Sequence, residues 1–176
     1  FDLFLGLDVA ASHLKEEGGY RIKDRPNPYS TGDLIEYYAL LRQNYNLLYL
    51  EDPFSENDVD GFVEITKKLS ETTYVVGDDL TATNPKRIEE AVKIQAINSV
   101  IIKPNQIGTI TETIHASLLA KKAGLKVIVS HRSGETTDDF IADFSVAVSA
   151  DYAKFGAPAG GERVVKYNRL LAIESE

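Results

Sequence analysis

From about residue 46 onward the chain repeats one unit: a short run of β-branched and apolar residues, a turn, then an amphipathic helix. The runs read as strands over 3–9, 47–51, 73–78, 99–103, 126–131 and 151–155. Each is nearly continuously apolar, the pattern of parallel strands covered on both faces. Strands that alternate with helices through parallel crossovers predict an α/β fold, either an open doubly wound sheet or a β/α barrel. No glycine-rich phosphate loop follows the first strand, so the dinucleotide fingerprint of an open sheet is missing.

The intervening segments carry helical signals. Residues 31–45 place Leu34, Tyr38, Leu41 and Tyr45 on one face, and residues 57–70 do the same with Val59, Phe62, Val63 and Leu69. A third helix starts at Asn84-Pro85, with proline at the first helical position. Thr109 and Glu112 have capping-box spacing, and Gly124 closes that helix. Thr136 and Asp139 have similar spacing before a stripe of Phe140, Ile141, Phe144 and Val148. The last helix is predicted from about Glu162 to Ile173. The stretch 11–30, with Gly18, Gly19, Pro26 and Pro28, predicts a hairpin or excursion. No linker divides the chain into two domains.

The residues that end the strands are Asp8, Glu51-Asp52, Asp78-Asp79, Lys103, His131 and Lys154. The last four intervals between Glu51, Asp78, Lys103, His131 and Lys154 are 27, 25, 28 and 23 residues, one β/α unit each. In a barrel the C-terminal strand ends form one rim, on which active sites are assembled from several strands. A single acid at a strand end is more often a cap or a solvated turn residue, and a single lysine more often a surface group. Six ionisable ends in one register have a common explanation: charge at a buried strand end is costly unless paired or bound to metal, so one shared polar site is the cheaper arrangement.

That site has a definite chemistry. Asp8, Glu51 and Asp78 form an oxygen-rich set of the kind that binds Mg²⁺. The net charge of −8, with acids spread along the chain, argues against nucleic acid and is compatible with a divalent cation. Lys103 lies further round the rim, and a lysine near a cation gives up its proton more readily, as a general base must. Lys154 adds a second cation beside a carboxylate substrate that gains negative charge when its α-proton leaves. The segment SHRSGE, 130–135, offers His131, Arg132 and Ser133 at a strand-to-helix turn, where Arg132 could hold a phosphate bidentately. His13 and His115 carry no such pattern.

The 176 residues, 43% of them hydrophobic, suffice for one sizeable core. No apolar run approaches the length of about 18 residues that predicts a membrane helix, and no signal peptide opens the sequence. Cysteine is absent, which excludes disulfides and thiolate metal sites and suits a reducing cytoplasm. The first residue is Phe1, inside an apolar run, as in a piece of something longer.

Several segments together resemble the C-terminal barrel of the enolase family, the phosphopyruvate hydratases of glycolysis. They are LGLDVAAS (5–12), YLEDPF (49–54), VGDDLTATNP (76–85), IIKPNQIGTITETI (101–114), VSHRSGETTDDFIAD (129–143) and KFGAPAGGERVVKYNRLLAIE (154–174). The likeness runs almost from end to end and is weakest over 13–30; the wording IKPNQIGT is nearer to archaeal members.

The resemblance implies a (β/α)8 TIM-type barrel and a carbon–oxygen lyase that reversibly dehydrates 2-phospho-D-glycerate to phosphoenolpyruvate with Mg²⁺. It implies Asp8, Glu51 and Asp78 as metal ligands, Glu51 and Asp78 also lying at the substrate. It makes Lys103 the base that takes the C2 proton and Lys154 a contact to the substrate carboxylate. Ser130, His131, Arg132 and Ser133 match the segment that holds the phosphate end. It implies a homodimer or homo-octamer for the full-length protein, a cytoplasmic location, and neither nucleic-acid nor membrane partners.

Six strands match the third to eighth of the family's barrel. The capping domain, the glutamate that protonates the leaving hydroxyl and the mobile loop that supplies a serine to a second Mg²⁺ are not in this sequence. The barrel is therefore expected to be incomplete, since a (β/α)8 domain needs about 250 residues, and this stretch alone is expected to be inactive. Two departures stand out: Gly160-Gly161, where the family commonly has Arg and a small residue, and His13, where an acid is common. The competing readings are an acid-sugar dehydratase of the same superfamily and a non-catalytic scaffold that kept the fold.

Overall fold

A computed structural model describes residues 3–176. Its sheet contains six parallel strands: β1 (Leu5–Asp8), β4 (Leu47–Glu51), β5 (Tyr74–Gly77), β6 (Ser99–Ile102), β7 (Lys126–Ser130) and β8 (Tyr152–Lys154), hydrogen-bonded in that order. The short β2 (Lys15–Glu16) and β3 (Gly19–Tyr20) form a separate antiparallel hairpin, as the Gly- and Pro-rich stretch predicts. Helices α1 (Thr31–Asn44), α2 (Val59–Leu69), α3 (Pro85–Lys93), α5 (Ile110–Lys122), α6 (Phe140–Ala147) and α7 (Gly161–Ser175) fill the intervals, and a four-residue α4 (Pro104–Ile107) follows β6 directly. This is a partial TIM-type barrel: the sheet curls until Tyr152 on β8 donates from its hydroxyl to that of Tyr74 on β5, 3.2 Å away.

Period-two alternation sorts the strand residues onto two faces. Leu50, Val75, Val100, Ile102, Val127 and Val129 pack outward into the main core, against Phe62, Ile65, Ile88, Ala116 and Phe144 of the helices. Val76, Ile101 and Ile128 form a second, inner cluster with Tyr49 and Tyr74. Glu51, Asp78, Lys103, Ser130 and Lys154 each stand two residues beyond an inward-facing position, so the same alternation that builds the inner cluster carries them to its mouth. Among the described residues, no helix is long and apolar enough to cross a membrane.

Local signals account for most helix starts. Ser30 and Asp33 form a reciprocal capping box on α1, Asn84 accepts from Lys86 N–H on α3, and Thr109 accepts from Glu112 N–H on α5. The expected pair at α6 is not used: Asp139 makes no side-chain cap, and Asp138 instead accepts from Phe140 N–H at 3.0 Å. Tyr45 is not on the buried stripe of α1; it lies at the helix end and is exposed.

The turn after β4 is braced by aromatic rings. Phe54 is fully buried and meets Tyr20, Tyr38 and Phe62 edge-on, at 5.9, 6.0 and 6.0 Å between centroids. Tyr38 also donates to the Pro53 carbonyl at 3.0 Å. Replacing Phe54 by alanine removes three ring contacts at once, and is expected to cost about 3–5 kcal/mol of stability. Denaturant unfolding of the intact protein checks this; a loss below about 1 kcal/mol would mean that the ring cluster does not brace the turn.

Candidate active site

The inner rim holds two groups of charges. At one side Lys154 donates from Nζ to Asp8 Oδ2 and Glu51 Oε2, both at 2.7 Å. Asp8 and Glu51 are paired in the β1–β4 register, so their side chains stand next to each other. Glu51 is buried, and burial raises its carboxyl above the usual range, against the pull of Lys154. Its Oε2 also accepts from the Tyr49 hydroxyl, whereas Oε1 is buried without a partner. For Lys154, burial opposes the charge, but Glu51 and Asp8 outweigh it and raise the amine's pKa.

At the other side Lys103 is ion-paired to Asp78 Oδ2, with both side chains largely buried. Gln106 donates to Asp78 Oδ1 at 2.9 Å. Thr83 closes the circuit: its hydroxyl donates to Gln106 Oε1 at 2.6 Å and accepts from Lys103 N–H at 2.9 Å. The turn from β6 into α4 puts Gln106 three residues after Lys103, beside the same carboxylate. Proline at the first position of α4 suits this entry, because its missing N–H has no intrahelical partner to lose.

Glu51 pairs with Val76, so Asp78 stands one inward-facing position further along the barrel than Glu51 and Asp8. Among the described residues, the carboxylates with oxygens within 4.8 Å of one another are Asp52, Asp78 and Asp79. Asp52 in that group is committed to the backbone: its two oxygens accept from Asp78 N–H at 3.0 Å and Asp79 N–H at 2.8 Å. Burial pushes its carboxyl up to about 7, against these two bonds. Asp52 therefore clamps the end of β5 to β4.

The segment 130–135 differs from the expectation in register. The inward residue that ends β7 is Ser130, not His131. Being one position on, His131 has the opposite parity and lies against α7 and the turn after β8. Arg163 Nη1 approaches His131 Nδ1, which suits an imidazole that is neutral and protonated on Nε2. A Cβ at Gly156 would lie 2.9 Å from His131 Cε1, and the backbone there has φ 80°, so glycine is required on both counts. Arg132 and Ser133 are exposed, and Arg132 donates to Asn105 Oδ1 on α4 at 3.2 Å. Arg132 borders a pocket together with Ser130, His131, Pro104 and Glu135. Gly160, one of the two departures, caps α7 with φ 86°, a conformation that residues with side chains seldom adopt.

Side chains that contact the predicted residues without a site signal of their own in the sequence include Tyr49, Thr83, Asn105, Gln106, Glu135 and Arg163. Gln106 and Arg163 lie inside the quoted motifs, and Tyr49 is the inward residue before Glu51, so motif membership and strand parity were the available signals. Thr83 likewise lies inside a quoted motif, VGDDLTATNP (76–85).

Burial, with the Arg163 guanidinium beside it, holds His131 below the ordinary histidine value of 6.5. The folded state thus favours the neutral ring, and the unfolded chain takes up the proton first as pH falls. Stability tied to His131 is complete above 6.5 and lost as pH falls from there toward the folded-state value. An NMR titration of the ring should give a midpoint under 6.5, and His131→Asn should flatten the acid limb of the stability profile; a midpoint at or above 6.5 contradicts this.

A family model described as "Enolase, C-terminal TIM barrel domain" matches residues 1–176. The enolase of Beutenbergia cavernae is 45% identical over 175 residues, covering 99% of this chain and 41% of its own length. That of Aeropyrum pernix is 47% identical over 174 residues, covering 99% and 40% respectively. That of Methanothrix thermoacetophila is 47% identical over 173 residues, covering 98% and 40%. The chain thus spans about two-fifths of the length of the curated relatives it matches. A barrel-type sheet rimmed by paired acids and amines, matched throughout by that domain's model, makes this chain a member of the enolase family.

Proposed function

We propose that the full-length protein carrying this sequence dehydrates 2-phospho-D-glycerate to phosphoenolpyruvate, reversibly and with Mg²⁺. The observation that carries the reading is the pairing of both rim amines with rim carboxylates, Lys103 with Asp78 and Lys154 with Asp8 and Glu51, in a chain of the enolase family.

The donor set fits a hard divalent cation: all three candidate ligands are carboxylates, and Glu51 keeps one buried oxygen without a partner. Asp8, Glu51 and Asp78 would hold the ion. When bound, Mg²⁺ supplies positive charge against the negative charge that builds on the substrate carboxylate.

The remaining work falls to the chain's own residues. Lys103, as the free amine, takes the proton from C2 of the substrate. The electron pair left at C2 delocalises into the carboxylate, where the Lys154 ammonium stabilises it. The C3–O bond then breaks and the hydroxyl leaves as water, using a proton from an acid that the family resemblance puts outside these residues. Ser130, His131, Arg132 and Ser133 hold the phosphate end. Gln106 and Thr83 keep Asp78 and the Lys103 backbone in place, so the amine is presented in one orientation. Small-molecule substrate, homodimeric or homo-octameric assembly and cytoplasmic location belong to the same reading.

Lys103→Ala in the full-length protein is expected to lower exchange of the C2 proton with solvent by at least about 10²-fold, while Mg²⁺ still binds. Solvent-isotope exchange followed by NMR, with Mg²⁺ titration calorimetry alongside, checks both parts. Intact exchange in the variant would favour the non-catalytic scaffold.

A further inference from the structure

Lys166 is a charged side chain with no role in the chemistry above, yet it is completely buried. Burying an ammonium is costly unless its hydrogen bonds are met. Here its Nζ lies 2.9 Å from the Thr136 carbonyl, 2.8 Å from those of Asp138 and Glu162, and 2.7 Å from Glu135 Oε2. The three N–H donors are fully used. Glu135 in turn accepts from Arg132 N–H through Oε1 at 3.0 Å. Burial disfavours the Glu135 charge, but the Lys166 bond and the Arg132 N–H outweigh it and keep the carboxyl below its usual range.

One turn earlier on the same helix, Arg163 donates to the carbonyls of Arg132 at 3.1 Å and Ser133 at 2.8 Å. Residues 131–139 contain neither helix nor strand, so these two cations supply bonds that a regular element would supply from within. Most of these bonds go to main-chain atoms, the exceptions being Lys166 to Glu135 and Arg163 to His131 Nδ1, and neither cation bonds the side chain of Arg132, which borders the pocket.

We propose that Lys166, with Arg163, is a positioning residue: the two cations of α7 hold the main chain of the 131–138 loop so that its anion-facing side chains are presented in one arrangement. The inference rests on the reading of 130–133 as the segment that holds the substrate phosphate.

The test uses the full-length protein. In the paired variant Lys166→Met, Glu135→Gln, ammonium and carboxylate are removed together, so no buried charge is left alone. KM for the phosphorylated substrate is expected to rise about tenfold or more, and inhibition by inorganic phosphate to weaken by a similar factor, while kcat changes less than about threefold. Wild-type KM and phosphate inhibition in that variant, or a fall in kcat alone, overturn the inference. If the pair fails to fold, Arg163→Gln leaves the buried cluster intact and is judged by the same criteria. Calorimetry with inorganic phosphate separates this from the functional reading. A wild-type protein that binds phosphate but dehydrates nothing sinks that reading, and the inference is then upheld if the variant binds phosphate about tenfold more weakly and overturned if it does not. A wild-type protein that binds no phosphate overturns it outright.

Discussion

Lys154 sits on the last strand of the sheet, yet its ammonium touches carboxylates on the first two. That contact spans almost the whole sequence and depends on the curl of the sheet. It also accounts for how acids survive at a mouth where burial disfavours their charge: Glu51 has a cation and a phenol against one oxygen. Asp78 has a comparable arrangement on the other side, with an amine on one oxygen and an amide on the other. Each rim acid is therefore tied to a residue from a different strand, and the rim holds its shape through electrostatics as well as backbone pairing.

Behind the rim lies a second layer that keeps the first in register. The Asp52 carboxylate ties β4 to the start of the loop after β5, and the ring cluster around Phe54 fills the space beneath that turn. The loop after β7 has no such apolar support. It depends on two cations from α7, a helix that begins only after the last strand is complete. The loop after β7 is thus organised by polar bonds to carbonyls, whereas the turn after β4 is organised by ring packing together with the Asp52 carboxylate.

How much of this could be read beforehand follows from how local each signal is. The six strands, and the inward ends of all but β7, were legible because alternation has a fixed period and a charged residue after an apolar run is conspicuous. The Thr109 cap was legible for the same reason, since its partner is three residues away. The expected Thr136–Asp139 cap failed because the carbonyls of Thr136 and Asp138 are drawn to Lys166, some thirty residues on, and Asp138 takes over the N–H of Phe140. The rim position expected at His131 is one residue late: nothing in the sequence says that β7 stops at Ser130. The offset that pairs Glu51 with Val76 and not with Asp78 is set by strand register, which no single strand encodes.

The missing side chain at Gly156 reaches beyond its own turn. Because the imidazole of His131 occupies the volume that a methyl group would need, the segment after the last strand acts as a mould for the ring. Drift at position 156 would be felt first as a tilted histidine in the loop after β7, so this segment, although exposed, is among the places least free to vary.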